Sequence, residues 1–160
     1  LRPFMTRDAG MVLSWCRDER EFYLWTAGVM GEYPLAVNDF CDFVENSMAF
    51  IMLDDKAPVG FFTMRNQTES ASILRMGFVI MDPAFRGKGI GKEMMQIALS
   101  YAKTIYKAKE VRLAVFKDNE NAFHCYKNAG FYVLPERESY VIMGKEKECI
   151  RMAAVLSGID

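Results

Sequence analysis

Apolar and polar positions follow two different periods along the chain, and the changes of period mark the elements. After Gly89, the apolar residues Ile90, Met94, Ile97, Ala98, Tyr101 and Ile105 recur at steps of 4, 3, 1, 3 and 4. That spacing lines one face of a helix of about five turns. Val111, Leu113 and Val115 instead alternate with Arg112 and Ala114, the period of a strand. Residues 49–53 and 59–64 are apolar runs joined by Asp54, Asp55, Lys56, Ala57 and Pro58, which predicts a hairpin. Residues 73–81 are almost continuously apolar apart from Arg75 and stop at Asp82-Pro83, as a buried central strand does.

Residues 1–5 predict a short strand, and Thr6 stands where an N-cap would, ahead of Ala9, Val12, Leu13 and Cys16 at helical spacing. Residues 19–46 read as aromatic-rich helices joined by a loop, with Asn38 as cap of the second. Residues 119–129 resume helical character, and Gly130 takes the C-cap position. Two further strands are expected near 131–134 and 140–143, and the charged cluster 145–148 reads as a solvated turn. No repeat, low-complexity tract or linker divides the chain, so residues 1–160 are read as one domain.

Composition narrows the chemistry. The 160 residues are 51% hydrophobic and 13% aromatic, with 20 Lys plus Arg against 21 Asp plus Glu, which fits a folded domain with no global attraction to nucleic acid. Cys16, Cys41, Cys125 and Cys149 are far apart and His124 is the lone histidine, so neither metal-ligand spacing nor a secreted disulfide framework is present. No run of 18 apolar residues suggests a membrane span, and a cytoplasmic location is expected.

The segment Arg86, Gly87, Lys88, Gly89, Ile90, Gly91, Lys92 lies between the apolar strand and the long helix. Three alternate glycines clear side chains from the helix start, so backbone N–H groups and the positive end of the helix dipole meet an anion directly. Arg86, Lys88 and Lys92 add charge, and a diphosphate uses all of these features. A bare tight turn is the plain alternative. A nucleoside-triphosphate P-loop does not fit, because Arg86 stands where its first Gly belongs and Glu93 where Ser or Thr would hold magnesium. A dinucleotide fingerprint fails on its third glycine, at 91 instead of 92.

Residues 86–91 match the (Arg or Gln)-x-x-Gly-x-(Gly or Ala) signature, and Asn119, Ala122, Tyr126, Gly130 and Phe131 match an Asn-x-x-Ala-x-x-x-Tyr-x-x-x-Gly-Phe pattern. In both, the chain resembles the GNAT superfamily of N-acetyltransferases. The opening Leu1, Arg2, Pro3 with Asp8, Ala9 and Trp15 is similar to the branch of ribosomal-protein N-terminal and spermidine acetyltransferases. The resemblance implies a mixed α/β (α+β) fold with a twisted, mostly antiparallel sheet of about six to seven strands, about four flanking helices and splayed central strands.

The same resemblance implies acetyl-CoA as cosubstrate and no metal. Its pyrophosphate would rest on Arg86, Gly87, Lys88, Gly89, Ile90, Gly91 and Lys92, and its pantetheine arm would pair with the strand edge at Phe78, Val79, Ile80 and Met81. A backbone N–H near Val79 or Ile80 would face the thioester oxygen. Tyr126 is the expected general acid for the departing thiolate, its alternative being a core tyrosine. Asn119 either binds pantetheine or caps its helix.

The implied acceptor is a small-molecule amine or a peptide N-terminus, with no nucleic acid or membrane partner and with room for a homodimer. A lysine-like amine of pKa about 10.4 is neutral in roughly one molecule in 2,500 at pH 7, a cost of about 4.6 kcal/mol, against about 1.4 for an α-amino group. The base that relatives carry two residues before the strand glycine is here Arg75. Glu69, Glu32 and Asp39 are weighed as water-mediated substitutes, and surface carboxylates are the simpler reading of each. His124 is expected on the helix surface and Cys125 in the core. Trp25, Tyr33 and Phe40 line either an acceptor slot or the core, and Glu32, Asp39, Asp42 and Glu45 leave an acidic groove for polyamines open. Without a base, the chain reads instead as a non-catalytic acyl-CoA-binding or regulatory module.

Overall fold

The computed structural model describes residues 1–67 and 70–156. Seven strands form one sheet: β1 Arg2–Pro3, β2 Met48–Asp54, β3 Ala57–Gln67, β4 Ser70–Met81, β5 Glu110–Phe116, β6 Tyr132–Ile142 and β7 Lys145–Val155. Their order is β1-β2-β3-β4-β5-β7-β6, antiparallel throughout except for β4 against β5. Five α-helices flank it: α1 Ala9–Ser14, α2 Glu19–Thr26, α3 Val37–Val44, α4 Ile90–Thr104 and α5 Glu120–Ala129. The mixed sheet with flanking helices is the architecture expected from the sequence.

Alternation decides which face each strand residue serves. Leu74, Met76, Val111, Leu113, Val115, Met152 and Ala154 point toward α4 and α5, where they meet Met94, Met95 and Ala98 in the main core. The opposite face divides into two clusters. One packs Ala9, Val12, Trp15 and Phe40 of the α1–α3 side onto Ile51, Phe61 and Ile80. The other packs Tyr23, Leu24 and Ala27 onto Phe116, Tyr140, Ile142 and Cys149.

Several local expectations are corrected. Thr6 does not cap α1; it opens a 3-10 turn, Thr6–Asp8, and Asp8 supplies the polar anchor. The Asp8 carboxylate takes two hydrogen bonds from Arg2, at 2.7 and 2.8 Å, and one from the Met5 N–H at 2.8 Å. Asn38 lies inside α3, whose cap position belongs to Ala36, while α2 has a side-chain cap in Asp18. The strands expected near 131–134 and 140–143 are one strand, β6, whose register shifts between Val133 and Arg137 around Pro135. Residues 145–148 are not a turn but the start of β7. The turn is Met143 and Gly144, both at positive φ, the geometry of a two-residue primed hairpin turn, and Met at its first position conceals it. Among the described residues no helix is long and apolar enough to cross a membrane.

Asp8 offers a test of the N-terminal packing. Asp8→Ala leaves Arg2 and the Met5 N–H without their acceptor and should lower the unfolding free energy by about 1–3 kcal/mol at pH 7, read from urea titration. The hydrogen bond from Arg2 holds the Asp8 carboxyl below its ordinary range despite burial. Its contribution is therefore complete above the unfolded pKa of about 3.9 and fades as the pH falls through the lower folded value, so wild type and variant should converge on acidification.

Candidate active site

The sheet opens where two neighbours part. β4 and β5 pair over three residues only, Ile73↔Glu110, Leu74↔Val111 and Arg75↔Arg112. Beyond them β5 continues against β7 and β4 continues against β3, leaving a gap between the strands. This is the splay expected of the central strands.

Along the gap β4 carries a bulge. Thr63 pairs with Gly77 and Phe61 with Ile80, so Phe78 and Val79 together oppose Phe62, and Phe78 sits at φ 51°. The extra residue exchanges the faces: Leu74 and Met76 point to the α4–α5 core, and after the bulge Val79 and Met81 do. Phe78 turns into the opposite cluster against Phe43, and its carbonyl accepts a hydrogen bond from the Trp25 indole at 2.8 Å. Trp25 and Phe40 both pack on Phe61, so the structure uses them to hold the strand, while Tyr33 leans on Phe22 and is half-exposed.

The glycine-rich segment connects the end of β4 to α4 over the mouth of the gap. Gly87 and Gly89 lie at φ 75° and 80°, with open space where a side chain would project. Among the described residues, the N–H groups of Gly87, Gly89, Ile90, Gly91 and Lys92 have no hydrogen bond; the first helical bond is from Glu93 to the Gly89 carbonyl. A group of unpaired donors at a helix start is a cradle for an anion. Lys88 lies over the Phe85 ring, 5.7 Å from its centre, and Lys92 is exposed.

Arg86 has different work from its neighbours. Its guanidinium donates to the Met81 carbonyl at 3.0 and 3.1 Å, to the Trp15 carbonyl at 3.0 Å and to Glu21 at 3.2 Å. It therefore ties the loop to the strand end and to the α1–α2 link. Hydrogen bonds from Arg17, aided by the charge of Arg86, hold the Glu21 carboxyl down at about 2, so this tether stays ionised.

Helix α5 reaches the cradle from the side. A Cβ on Gly91 would lie 3.3 Å from the Cys125 sulfur, so a glycine at this point lets the two helices close. The next residue, Tyr126, is 8% exposed, and its ring packs on Phe131 in the main core. Its hydroxyl makes no hydrogen bond to a described residue, yet the one buried, unpartnered side-chain N or O atom among them is Arg151 Nε. Burial pushes the Tyr126 hydroxyl well above its ordinary pKa. Asn119 caps α5, its side chain accepting from the Ala122 N–H at 3.4 Å. His124 is exposed, as expected, while Cys125, expected in the core, is half-buried at its edge.

Of the carboxylates considered as bases, Glu32 and Asp39 are exposed, and Glu69 lies outside the described residues. Arg75 instead meets a carboxylate the sequence reading did not single out. Glu138, from β6, accepts two hydrogen bonds from Arg75, at 2.8 and 3.1 Å, and one from the Tyr140 hydroxyl at 3.0 Å. Burial opposes its charge, but Arg75 outweighs burial and holds the carboxyl below its ordinary range. Only the strand order, which sets β6 and β7 beside β5, brings these residues together. A cavity of about 860 Å³ lies elsewhere, between Phe4, Asn38, Tyr101 and Tyr106; it holds Asp42 and Glu45 of the acidic groove weighed for polyamines, and none of the residues expected to bind acetyl-CoA or to act as acid.

Comparison with known proteins agrees with this geometry. A family model described as the acetyltransferase (GNAT) family matches residues 11–131. The spermidine N(1)-acetyltransferase of Escherichia coli K12 is 33% identical over 75 residues, 46% of this chain, and the spermine/spermidine N(1)-acetyltransferase of Bacillus subtilis 168 is 33% identical over 51 residues, 32% of it. The chain spans 40% and 34% of the lengths of those two relatives. A Vibrio cholerae spermidine N-acetyltransferase in complex with CoA and spermine superimposes with TM-score 0.80 at 18% identity, covering 96% of this chain and 93% of the other. A Bacillus anthracis GNAT acetyltransferase does so with TM-score 0.77 at 16% identity, covering 96% and 92%. At such identities the superpositions establish the fold.

The cradle glycine can be tested on the free protein. Gly89→Ala places a Cβ in a left-handed backbone with nothing for it to pack against, and should cost about 1 kcal/mol of stability in a denaturant titration.

Proposed function

The chain belongs to the GNAT acetyltransferase family, and from that premise we propose that it transfers acetyl from acetyl-CoA to a primary amine of a small molecule or of a protein N-terminus. The observation that carries the reading is the cluster of unpaired N–H groups of Gly87 and of Gly89 to Lys92, set beside a strand whose far edge is open. The donors suit a pyrophosphate, and the open edge of β4 suits an extended arm that adds as a strand. The names of the E. coli and B. subtilis relatives place polyamines among the acceptors to be tested. Acetyl-CoA as cosubstrate goes with a cytoplasmic protein.

In this reading the neutral amine nitrogen attacks the thioester carbonyl, the carbon–sulfur bond breaks, the departing sulfur takes a proton from Tyr126, and the proton shed by the new amide nitrogen passes through water to restore the phenol. A phenol held above its ordinary pKa by burial stays protonated through the working range, as a general acid must. Asn119 keeps α5 capped and so positions Tyr126 within the core. Arg86 contributes by fixing the loop, the anion being met by backbone N–H groups, Lys88 and Lys92.

One observation favours a second reading, an acyl-CoA-binding module without turnover. The position where relatives carry a base is Arg75, and the carboxylate that meets it is committed to ion pairs. A carboxylate so engaged is a weak base, so the amine would have to arrive neutral.

Tyr126→Phe should lower kcat by roughly a hundredfold or more while leaving acetyl-CoA affinity unchanged; unchanged turnover would remove Tyr126 from the reaction. Gly89→Val should weaken acetyl-CoA binding in calorimetry by more than its effect on the melting temperature accounts for. With no strong base on the enzyme, kcat/KM for the acceptor should rise about tenfold per pH unit up to the pKa of the amine and then level, with no alkaline fall from Tyr126. Binding of acetyl-CoA without thiol release from any amine would favour the binding module.

A further inference from the structure

On the face of the sheet away from α4 and α5, the floor of the gap is lined by charge. Arg75, Arg112 and Arg151 stand there with Glu110 and Glu138, contributed by β4, β5, β7 and β6. Arg112 is paired with Glu110. The remaining carboxylate, Glu138, is shared between two guanidinium groups, and it satisfies only one. Both of its oxygens take hydrogen bonds from Arg75, and Tyr140 adds a third. Arg151 Nε forms an ion pair with Glu138 at 3.3 Å but outside hydrogen-bonding geometry, which leaves it buried without a hydrogen-bond acceptor. No hydrogen bond joins the terminal nitrogens of Arg151 to a described residue, and its side chain is 23% exposed.

The position of Arg151 gives this surplus charge a direction. Arg151 pairs with Ala114, two residues past the last point at which β5 touches β4. At the same level on β4 stands Gly77, and Ala114 and Ala153 adjoin Arg151 on β5 and β7, so its neighbours on this face are small. Helix α2 crosses above, with Trp25 bonded to β4 on one side of the gap and Tyr23, Leu24 and Ala27 packed on the β5–β7 half. A half-buried guanidinium with one shared carboxylate gains most from an anion that presents two oxygens to its fork, and such a floor repels a polycation.

We infer that the acceptor is an amine that also bears a carboxylate, and that Arg151 binds that carboxylate. The inference rests on the acetyl-transfer reading and names its substrate class: an amino-acid-like acceptor in preference to a polyamine. The carboxylate adds to Arg151 without displacing Glu138 from Arg75, and it orients the amine toward the thioester on the open edge of β4.

The test is thiol release from acetyl-CoA with amino acids, each set against its decarboxylated amine, such as lysine against cadaverine and ornithine against putrescine, with spermidine alongside. The carboxylated member should be preferred in kcat/KM by roughly tenfold to a hundredfold. Arg151→Met should erase the preference through KM while acetyl-CoA still binds, and Arg151→Lys should restore part of it. Equal or better use of the decarboxylated amines or spermidine overturns the inference, as does a preference that survives Arg151→Met. Protein that binds acetyl-CoA but acetylates no carboxylated amine overturns it and leaves the cofactor reading standing, whereas protein that does not bind acetyl-CoA overturns that reading as well.

Discussion

Everything at the site depends on how briefly β4 and β5 touch. Three parallel residue pairs hold the two halves of the sheet together, and from Met76 onward one edge of β4 is released from its neighbour. A buried strand edge is costly unless its polar groups find partners, so an opening of this kind persists only where surrounding elements hold it. The bulge at Phe78 and Val79 gives β4 a kink, and the Trp25 indole secures the carbonyl at that kink. Helix α2 thereby spans the opening, and the glycine-rich loop closes its mouth.

Charge at the site is divided between backbone and side chains in an unexpected way. The most basic-looking residue of the loop, Arg86, is spent on carbonyl groups and Glu21 inside the protein, so in the proposed reading an anion is left to main-chain N–H groups with Lys88 and Lys92 beside them. This suits a ligand that must also leave, because dipoles fixed by Gly87 and Gly89 need no rearrangement and impose less ionic attraction than three paired cations. On the other side of the gap the formal charges lie in the floor, where half-burial gives each of them weight.

Local pattern was enough to read α4, β5, the β2–β3 hairpin, the loop and the capped helix that carries Tyr126, because each is written in neighbouring residues: apolar spacing, glycines, or Asn119 and Gly130 at the two ends of α5. What escaped was set by distant pairing. Arg75 could be recognised as a departure, but Glu138 lies 63 positions away and meets it only because β7 inserts between β5 and β6. Pro135 and a run of charge concealed the continuity of β6, and a turn built on Met143 lacks the Asn-Gly or Asp-Gly pair that announces such hairpins. Caps failed in the same manner: Thr6 and Asn38 are suitable residue types at nearly the right places, but Asp8 had Arg2 to hold it.

The narrow junction between the halves also orders how the molecule comes apart. β2, β3 and β4 pair in sequence order, and β6 with β7 forms a hairpin unit, so most of each half is stitched by local contacts, with β1 and β5 added through pairings distant in sequence. The join between them is the parallel seam of Ile73, Leu74 and Arg75 with Glu110, Val111 and Arg112, reinforced by α2 across one face and by α4 and α5 across the other. Parallel pairing across so long a connection closes slowly and yields first. Amide exchange at this seam and in α2 therefore reports on a sub-global opening in which both hairpin units survive while the shape of the gap is lost, so catalytic competence and bulk foldedness are separable properties of this chain.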